Sequence, residues 1–344
     1  HHHHHHMFIE EFEIESITST HLLEVLTREY PEVRSPSIKG AMRWWFRALA
    51  GSYFGDDAQK LKEIENQVFG STKERSRVKI SVTPLSSPKR LNLKEFKDKN
   101  VGYIWFSINL LGKRGTITHY YPPGSRFRVV LESPSERVIK LATLSLWALV
   151  SLGSVGFRSR RGTGSMKIVR ASSEVLEDLG LTTEFNSIDE FKDSLKRVLD
   201  VTGEILGVKN SETNKSLPSY ATLKFSDVEV FGPGKNTWEV LAQFNNSYKE
   251  YLRRRIKKYQ RIIFGLPRFK LRGVRKDLRR ASPLWFGVVE IGGKPYGRII
   301  KFFQSTFHPE VRSKHIVDWN VLSNFDWFIS SRLPVTKVWG GWSG

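Results

Sequence analysis

Residues 136–169 read ERVIKLATLSLWALVSLGSVGFRSRRGTGSMKIV. Glu136–Leu152 is apolar around most of its circumference, the pattern of a buried helix. Met166–Val169 is a short apolar run that reads as a strand. Between them lies Gly156–Met166, GFRSRRGTGSM, with three arginines among three glycines. The order is helix, loop, strand. A nucleotide-binding glycine loop runs from strand to helix, with the spacing G-x-x-x-x-G-K-[ST]. Here Gly156 and Gly162 are one residue too far apart, and Thr163 stands where the lysine belongs. The loop is therefore not read as a nucleotide pocket. Its glycines permit close approach of another backbone, and guanidinium forks match phosphate geometry.

The flanking sequence places this helix–loop–strand in a larger order. Phe8–Ile17 alternates apolar and charged residues, as a strand does. Gly40–Leu49 has a helix pattern. Arg77–Thr83 and Tyr103–Leu111 read as strands, and Arg126–Leu131 extends or adds to the second after the turn signal YPPG. With Glu136–Leu152 and Met166–Val169 the series is β-α-β-β-α-β, the ferredoxin-like plan. Residues 171–215 are polar, helix-forming pieces with little apolar mass. The order then repeats. Tyr220–Phe231 is a strand, Asn236–Phe264 a long helix capped near Asn236 or Thr237, and Pro283–Ile291 a strand. Gly292-Gly293 marks a turn, Tyr296–Phe303 a strand, Ile316–Leu333 a helix and Val335–Trp339 a last strand. The expected fold is α+β: two tandem ferredoxin-like (βαββαβ, RRM-like) domains, at 7–170 and 216–344, with a helical insertion at 171–215. Residues 1–6 are a histidine tag, and Met7 is the expected native start.

Composition narrows the function. Of 344 residues, 55 are Lys or Arg against 35 Asp or Glu, a net charge of +20. Such an excess implies a polyanionic partner, nucleic acid before membrane. There is no cysteine. That excludes disulfides, thiolate nucleophiles and cysteine-ligated zinc, and suits a cytoplasmic protein. The longest apolar run is too short to span a bilayer, and FIEEFEIES after Met7 is not a signal peptide. YLRRRIKKYQR comes closest to a membrane-surface helix but lacks a broad apolar face, so no membrane partner is expected.

Three segments carry the candidate chemistry. In the opening loop, Arg158, Arg160 and Arg161 are placed to grip phosphates, with Gly162 allowing main-chain approach. In PSIKGAMRWWFRA, Ser37 can cap a helix that carries Lys39, Arg43 and Arg47. Of its adjacent Trp44 and Trp45, one belongs to the core and the other can stack. The strongest charge signal is Lys249–Arg280, with 14 basic against two acidic residues, a net +12 in 32 residues. Its Arg253, Arg254, Arg268, Arg272 and Arg275 extend the proposed track, and interleaved aromatics suit single-stranded nucleic acid. Catalytic candidates are sparse. His119 is a lone histidine beside a turn, without a nameable partner for general-base work. Asp56-Asp57 read as helix-start acids. His308 and His315 lack metal-ligand spacing. Neither a metal nor a cofactor is expected.

These pieces resemble the RAMP superfamily of CRISPR proteins. Ser37-Ile38-Lys39-Gly40 with Arg43 is similar to its S-x-K-G-x-x-R helix entry, Phe69-Gly70-Ser71 to its F-G-S segment, and Gly156–Ser165 to its glycine-rich loop. More narrowly, VRSPSIKGAMRWWFRALAG, FGLP and RRASPLWF resemble the first-subunit family of the Cmr (type III-B) effector complex. The resemblance implies two ferredoxin-like domains and a ribonucleoprotein subunit that holds CRISPR RNA and captures target single-stranded RNA beside other RAMP subunits. It implies that target cutting belongs to a different subunit. A departure is that the second half has no obvious glycine-rich loop before Val335–Trp339. An alternative, drawn from other RAMP proteins, is a metal-independent endoribonuclease with His119 as base.

Overall fold

The computed structural model describes residues 6–22, 37–208, 216–264, 283–305 and 319–340. The first half runs β1 (Phe8–Ser16), α1 (Ile38–Phe54), α2 (Ala58–Phe69), β2 (Lys79–Pro84), β3 (Lys89–Arg90), α3 (Lys94–Lys97), α4 (Phe106–Lys113), β4 (His119–Tyr120), β5 (Arg126–Ser133), α5 (Glu136–Leu152) and β6 (Met166–Ala171). Then come α6 (Val175–Asp178) and α7 (Ile188–Leu206). The second half runs β7 (Ser226–Phe231), α8 (Thr237–Glu250), β8 (Leu284–Ile291), β9 (Lys294–Phe302), α9 (Asn320–Ser330) and β10 (Val335–Gly340). Helix starts follow the side-chain oxygens. Ser37 accepts from the Gly40 N–H, Ser135 from Val138, Ser187 from Glu190 and Asn236 from Glu239, each satisfying a donor the helix leaves open.

Two antiparallel four-stranded sheets result, in the orders β2-β5-β1-β6 and β10-β7-β9-β8. A two-stranded ribbon pairs β3 with β4. In the first sheet, Phe12 and Ile14 of β1 and Phe127, Val129 and Leu131 of β5 face inward, at most 1% exposed. Helix α5 covers them. The opposite face is a ladder of charge: Glu11 pairs with Arg128, Glu13 with Arg126 and Arg170, and Glu15 with Arg126 and Lys167. Among the described residues no helix is long and apolar enough to cross a membrane.

Three expectations are corrected. Tyr103–Leu111 is not a strand. Ile104, Trp105, Ile108 and Leu111 are buried at helical spacing, and α4 begins at Phe106. The hairpin partner of β2 is β5 instead, because Phe127, Val129 and Leu131 hold the alternation a half-buried strand needs. The long helix at 236–264 is broken. α8 ends at Glu250, a π turn covers Tyr251–Arg255, Ile256 is extended, and a 3-10 turn covers Lys258–Phe264. Finally, α7 is not short of apolar mass. Phe191, Leu195 and Val198 are fully buried on one face, which packs against α1, α5 and β10. The helix expected at Ile316–Leu333 spans Asn320–Ser330 in the described residues.

Candidate nucleic-acid interface

The glycines of the 156–165 loop make close approaches, but to this chain's own backbone and side chains. Gly164 has φ +70°, and a Cβ there would stand 1.7 Å from the Val155 carbonyl oxygen. Gly156 has φ +90° and presses on the His21 carbonyl. A Cβ at Gly162 would meet Leu241 and Phe286 of the second half at 2.8 and 3.0 Å. The loop also stitches the halves together. The Phe286 N–H donates to the Arg160 carbonyl at 3.0 Å, and the Val288 N–H to Ser165 Oγ at 2.9 Å.

Its three arginines have three environments. Arg161 is 8% exposed and turned inward. Its Nη1 donates to the Arg160 and Leu284 carbonyls, its Nη2 to the Tyr248 hydroxyl and the Phe264 carbonyl, at 2.9–3.0 Å. The expectation of a surface phosphate grip there is corrected: most of its donors are spent on the protein. Arg160 is half-buried, its guanidinium 4.0 Å from the Trp285 ring centroid and 5.9 Å from that of Trp44. Arg158 is half-buried on a backbone with φ +58°.

The basic helix divides in the same way. Lys39 and Arg47 are exposed, and Arg47 lies 3.5 Å from Glu65. Arg43 donates from Nε to Glu65 at 2.6 Å, from Nη1 to the Gly70 carbonyl and from Nη2 to Asn66 Oδ1, both at 2.8 Å. These bonds tie α1 to the end of α2. Trp45 is the core tryptophan, 1% exposed, while Trp44 is half-buried and packs on Trp285 at 4.3 Å and on Phe302.

The π turn exposes Arg253 and Arg254, and Arg253 lies over the Tyr103 ring at 5.2 Å. Arg268, Arg272 and Arg275 lie outside the described residues, as do His308 and His315. The segments are joined by a chain of arginines and aromatics. It runs from Arg253 to Tyr103, Tyr248, Arg161, Arg160, Trp285 and Trp44, each contact within 6 Å. Trp285, the junction of this chain, was not singled out from the sequence; its signal was an aromatic following RRASP.

His119 is exposed and its Nδ1 meets the Thr118 hydroxyl at 2.9 Å. Among the described residues it forms no ion pair with a carboxylate. Asp57 caps α2, accepting from Lys60. Another histidine escaped the sequence reading. His21 is fully buried beside the loop, stacked on Tyr120, with neither ring nitrogen hydrogen-bonded. Burial pushes its pKa down to about 3. Two buried cations were also missed. Arg298 donates to the Ser151 and Gly153 carbonyls at the end of α5, and Lys301 meets Glu229 and Asp326. Their signal is a charge standing inside the apolar strand GRIIKFF.

Comparison with known proteins adds to this geometry. The RAMP superfamily profile matches residues 13–167, and the Cmr1-like C-terminal profile matches residues 225–340. CRISPR system Cmr subunit Cmr1-2 of Pyrococcus furiosus is 39% identical over 183 residues, which is 47% of this chain and 96% of the relative. The apo crystal structure of Cmr1 from Pyrococcus furiosus is 98% identical, with a TM-score of 0.83 over 97% of this chain and all of that one. A chain of Type III-B Cmr-beta, solved by cryo-EM bound to cognate target RNA and AMPPnP, has a TM-score of 0.62. It is 15% identical over 95% of this chain and 99% of its own, a likeness of fold.

Proposed function

Since the chain belongs to the RAMP superfamily and, within it, to the Cmr1 family, we propose that it is an RNA-binding, non-catalytic subunit of a type III-B (Cmr) CRISPR effector complex. It grips the backbone of CRISPR RNA and target RNA in antiviral defence, beside other Cmr subunits in the cytoplasm. Pairing between guide and target supplies sequence specificity, so its contacts are sequence-independent.

The observation that carries this reading is the arginine–aromatic chain. It runs behind the surface, through the buried Arg161 and Tyr248, and holds the basic helix α1, the glycine-rich loop and the π turn along one track. Lys39, Arg47, Arg158, Arg160, Arg253 and Arg254 are its RNA-facing cations, with Arg268, Arg272 and Arg275 continuing it. Arg43, Arg161 and Gly162 hold the frame behind them. Residues 7–170 and 216–344 are read as ferredoxin-like units, a reading supported by strand orders that both run 4-1-3-2 within their half.

Crosslinking the assembled complex with guide and target RNA tests the reading. Adducts are expected within 39–47, 156–165 and 253–254, and their absence from all three overturns the track. Incubation of the purified chain with repeat RNA is expected to leave the RNA intact. Cleavage that disappears in His119→Ala would establish the endoribonuclease instead.

A further inference from the structure

Helix α9 departs from the rest of this basic chain. Its sequence, NVLSNFDWFIS, contains no lysine or arginine, although the protein carries +20. Its single acid, Asp326, is engaged by the buried Lys301. Asn320, Ser323, Asn324, Trp327, Ser330 and Ser331 follow one another along the outward side at helical spacing. At the centre of that side Trp327 is 84% exposed, more than any other large apolar residue described.

The indole stands on a rigid base. Leu322, Phe325 and Ile329 on the opposite side of the helix are fully buried. The neighbouring Phe328 ring lies against Tyr251 at 5.3 Å, with the guanidinium groups of Arg332 and Arg255 at 4.5 and 5.6 Å. Glu250 pairs with both arginines, at 2.6 and 3.9 Å. A surface that holds RNA needs free cations along it. This one offers an exposed tryptophan on a well-packed helix, neutral hydrogen-bonding side chains and two arginines at the rim. Tryptophan and arginine dominate the energetics of protein–protein interfaces, where an anchor fills a dry pocket inside a polar rim.

We propose that the outer face of α9 docks a neighbouring protein subunit, with Trp327 as the anchor. The partner presents an apolar pocket for the indole, edged by carboxylates that meet Arg332 and Arg255 in place of Glu250. The inference rests on the subunit reading above and assigns a surface to it, separate from the RNA track.

The test is reconstitution of the complex from purified Cmr subunits and guide RNA. Trp327→Ala removes an exposed side chain, so the fold is retained. It is expected to weaken incorporation roughly 30-fold, the size of an interface hot spot. Asn324→Arg, which leaves the indole in place and crowds the same face, is expected to weaken it as well. The RNA affinity of the free chain should not change in either variant. A benzophenone side chain in place of Asn324 should crosslink to protein, not to RNA. Normal incorporation of both variants, or crosslinks to RNA, overturns the assignment while leaving the subunit reading intact. Failure of the wild-type chain to join the complex overturns both.

Discussion

Arg160 and Arg161 are adjacent, chemically identical and flanked by the same glycines, yet they do opposite work. Arg161→Ala leaves the Leu284 and Phe264 carbonyls and the Tyr248 hydroxyl short of a buried donor. Each such loss costs about 1–3 kcal/mol, so the variant should be destabilised by about 3 kcal/mol or more. A lower urea midpoint with unchanged slope would register it. Arg160→Ala, which loses the contact with Trp285, should lower the midpoint less than Arg161→Ala does. It should also weaken RNA binding uniformly across sequences and lower the salt slope by about one contact's worth, measured by titration at several salt concentrations. The sequence showed three arginines in a glycine loop but could not rank them. What separates them is contact with residues 87 to 123 positions away, which no local pattern carries. His21 was illegible for the same reason, and it makes a pH prediction. Its pKa is about 3 in the folded chain against 6.5 unfolded, so below pH 6.5 the unfolded chain binds the extra proton. Its contribution is intact above pH 6.5 and is lost as pH falls toward 3, at about 1.4 kcal/mol per unit. Between pH 6 and 4, His21→Phe should therefore lose stability less steeply than the wild type; parallel slopes would refute the assignment.

Elements were legible where their signal is local. Ser37, Asp57 and Asn236 announce their helices by side-chain caps, and Gly292-Gly293 turns β8 into β9 with φ of +60° and +72°. They were misread where a short apolar run fits two periods. YIWFSINLL satisfies both alternation and the helical spacing, and only the α8 contact decides: Asn245 Oδ1 accepts from the Tyr103 and Ile104 N–H groups and starts the turn. The attachment of α9 to its sheet depends on a feature no pattern displays. Lys301, fully buried on β9, lies 2.9 Å from Glu229 of β7 and meets Asp326 of α9. Burial works against its charge, and Glu229 and Asp227 work in favour. Removing one partner of such a group strands the others in low dielectric. Lys301→Met should cost about 3–5 kcal/mol, whereas Lys301→Met with Glu229→Leu and Asp326→Leu should recover most of the loss. Equal thermal midpoints for the single and triple variants would show that the charges carry no penalty.

Taken whole, the molecule has two four-stranded sheets, and its two large buried clusters each draw on both halves. Phe12 and Ile14 of the first sheet belong to the same buried cluster as Val228, Val230, Ile300 and Phe302 of the second. The α5 carbonyls of Ser151 and Gly153 are capped by Arg298 from β9, a cation at the negative end of the helix. Gly287 leaves room for that guanidinium, since a Cβ there would stand 2.2 Å from Nη2. The Leu223 N–H donates to Ala48 in α1, and the Gly292 N–H to Phe185. The repeat of β-α-β-β-α-β could be inferred from sequence, but this mutual dependence could not, because it consists entirely of contacts between the repeats. Separable domains meet through polar, modest interfaces; here the interface is core. The chain should therefore unfold in one cooperative calorimetric transition, with matching calorimetric and van't Hoff enthalpies. Residues 7–215 and 216–344 expressed apart would each expose its own side of the shared clusters and leave Arg298 or its carbonyl acceptors unpaired. Neither fragment should show native near-ultraviolet dichroism alone, and mixing them should restore it. Two resolved transitions, or a fragment with native dichroism by itself, would mean that the repeats are independent units and that the glycine-rich loop merely tethers them.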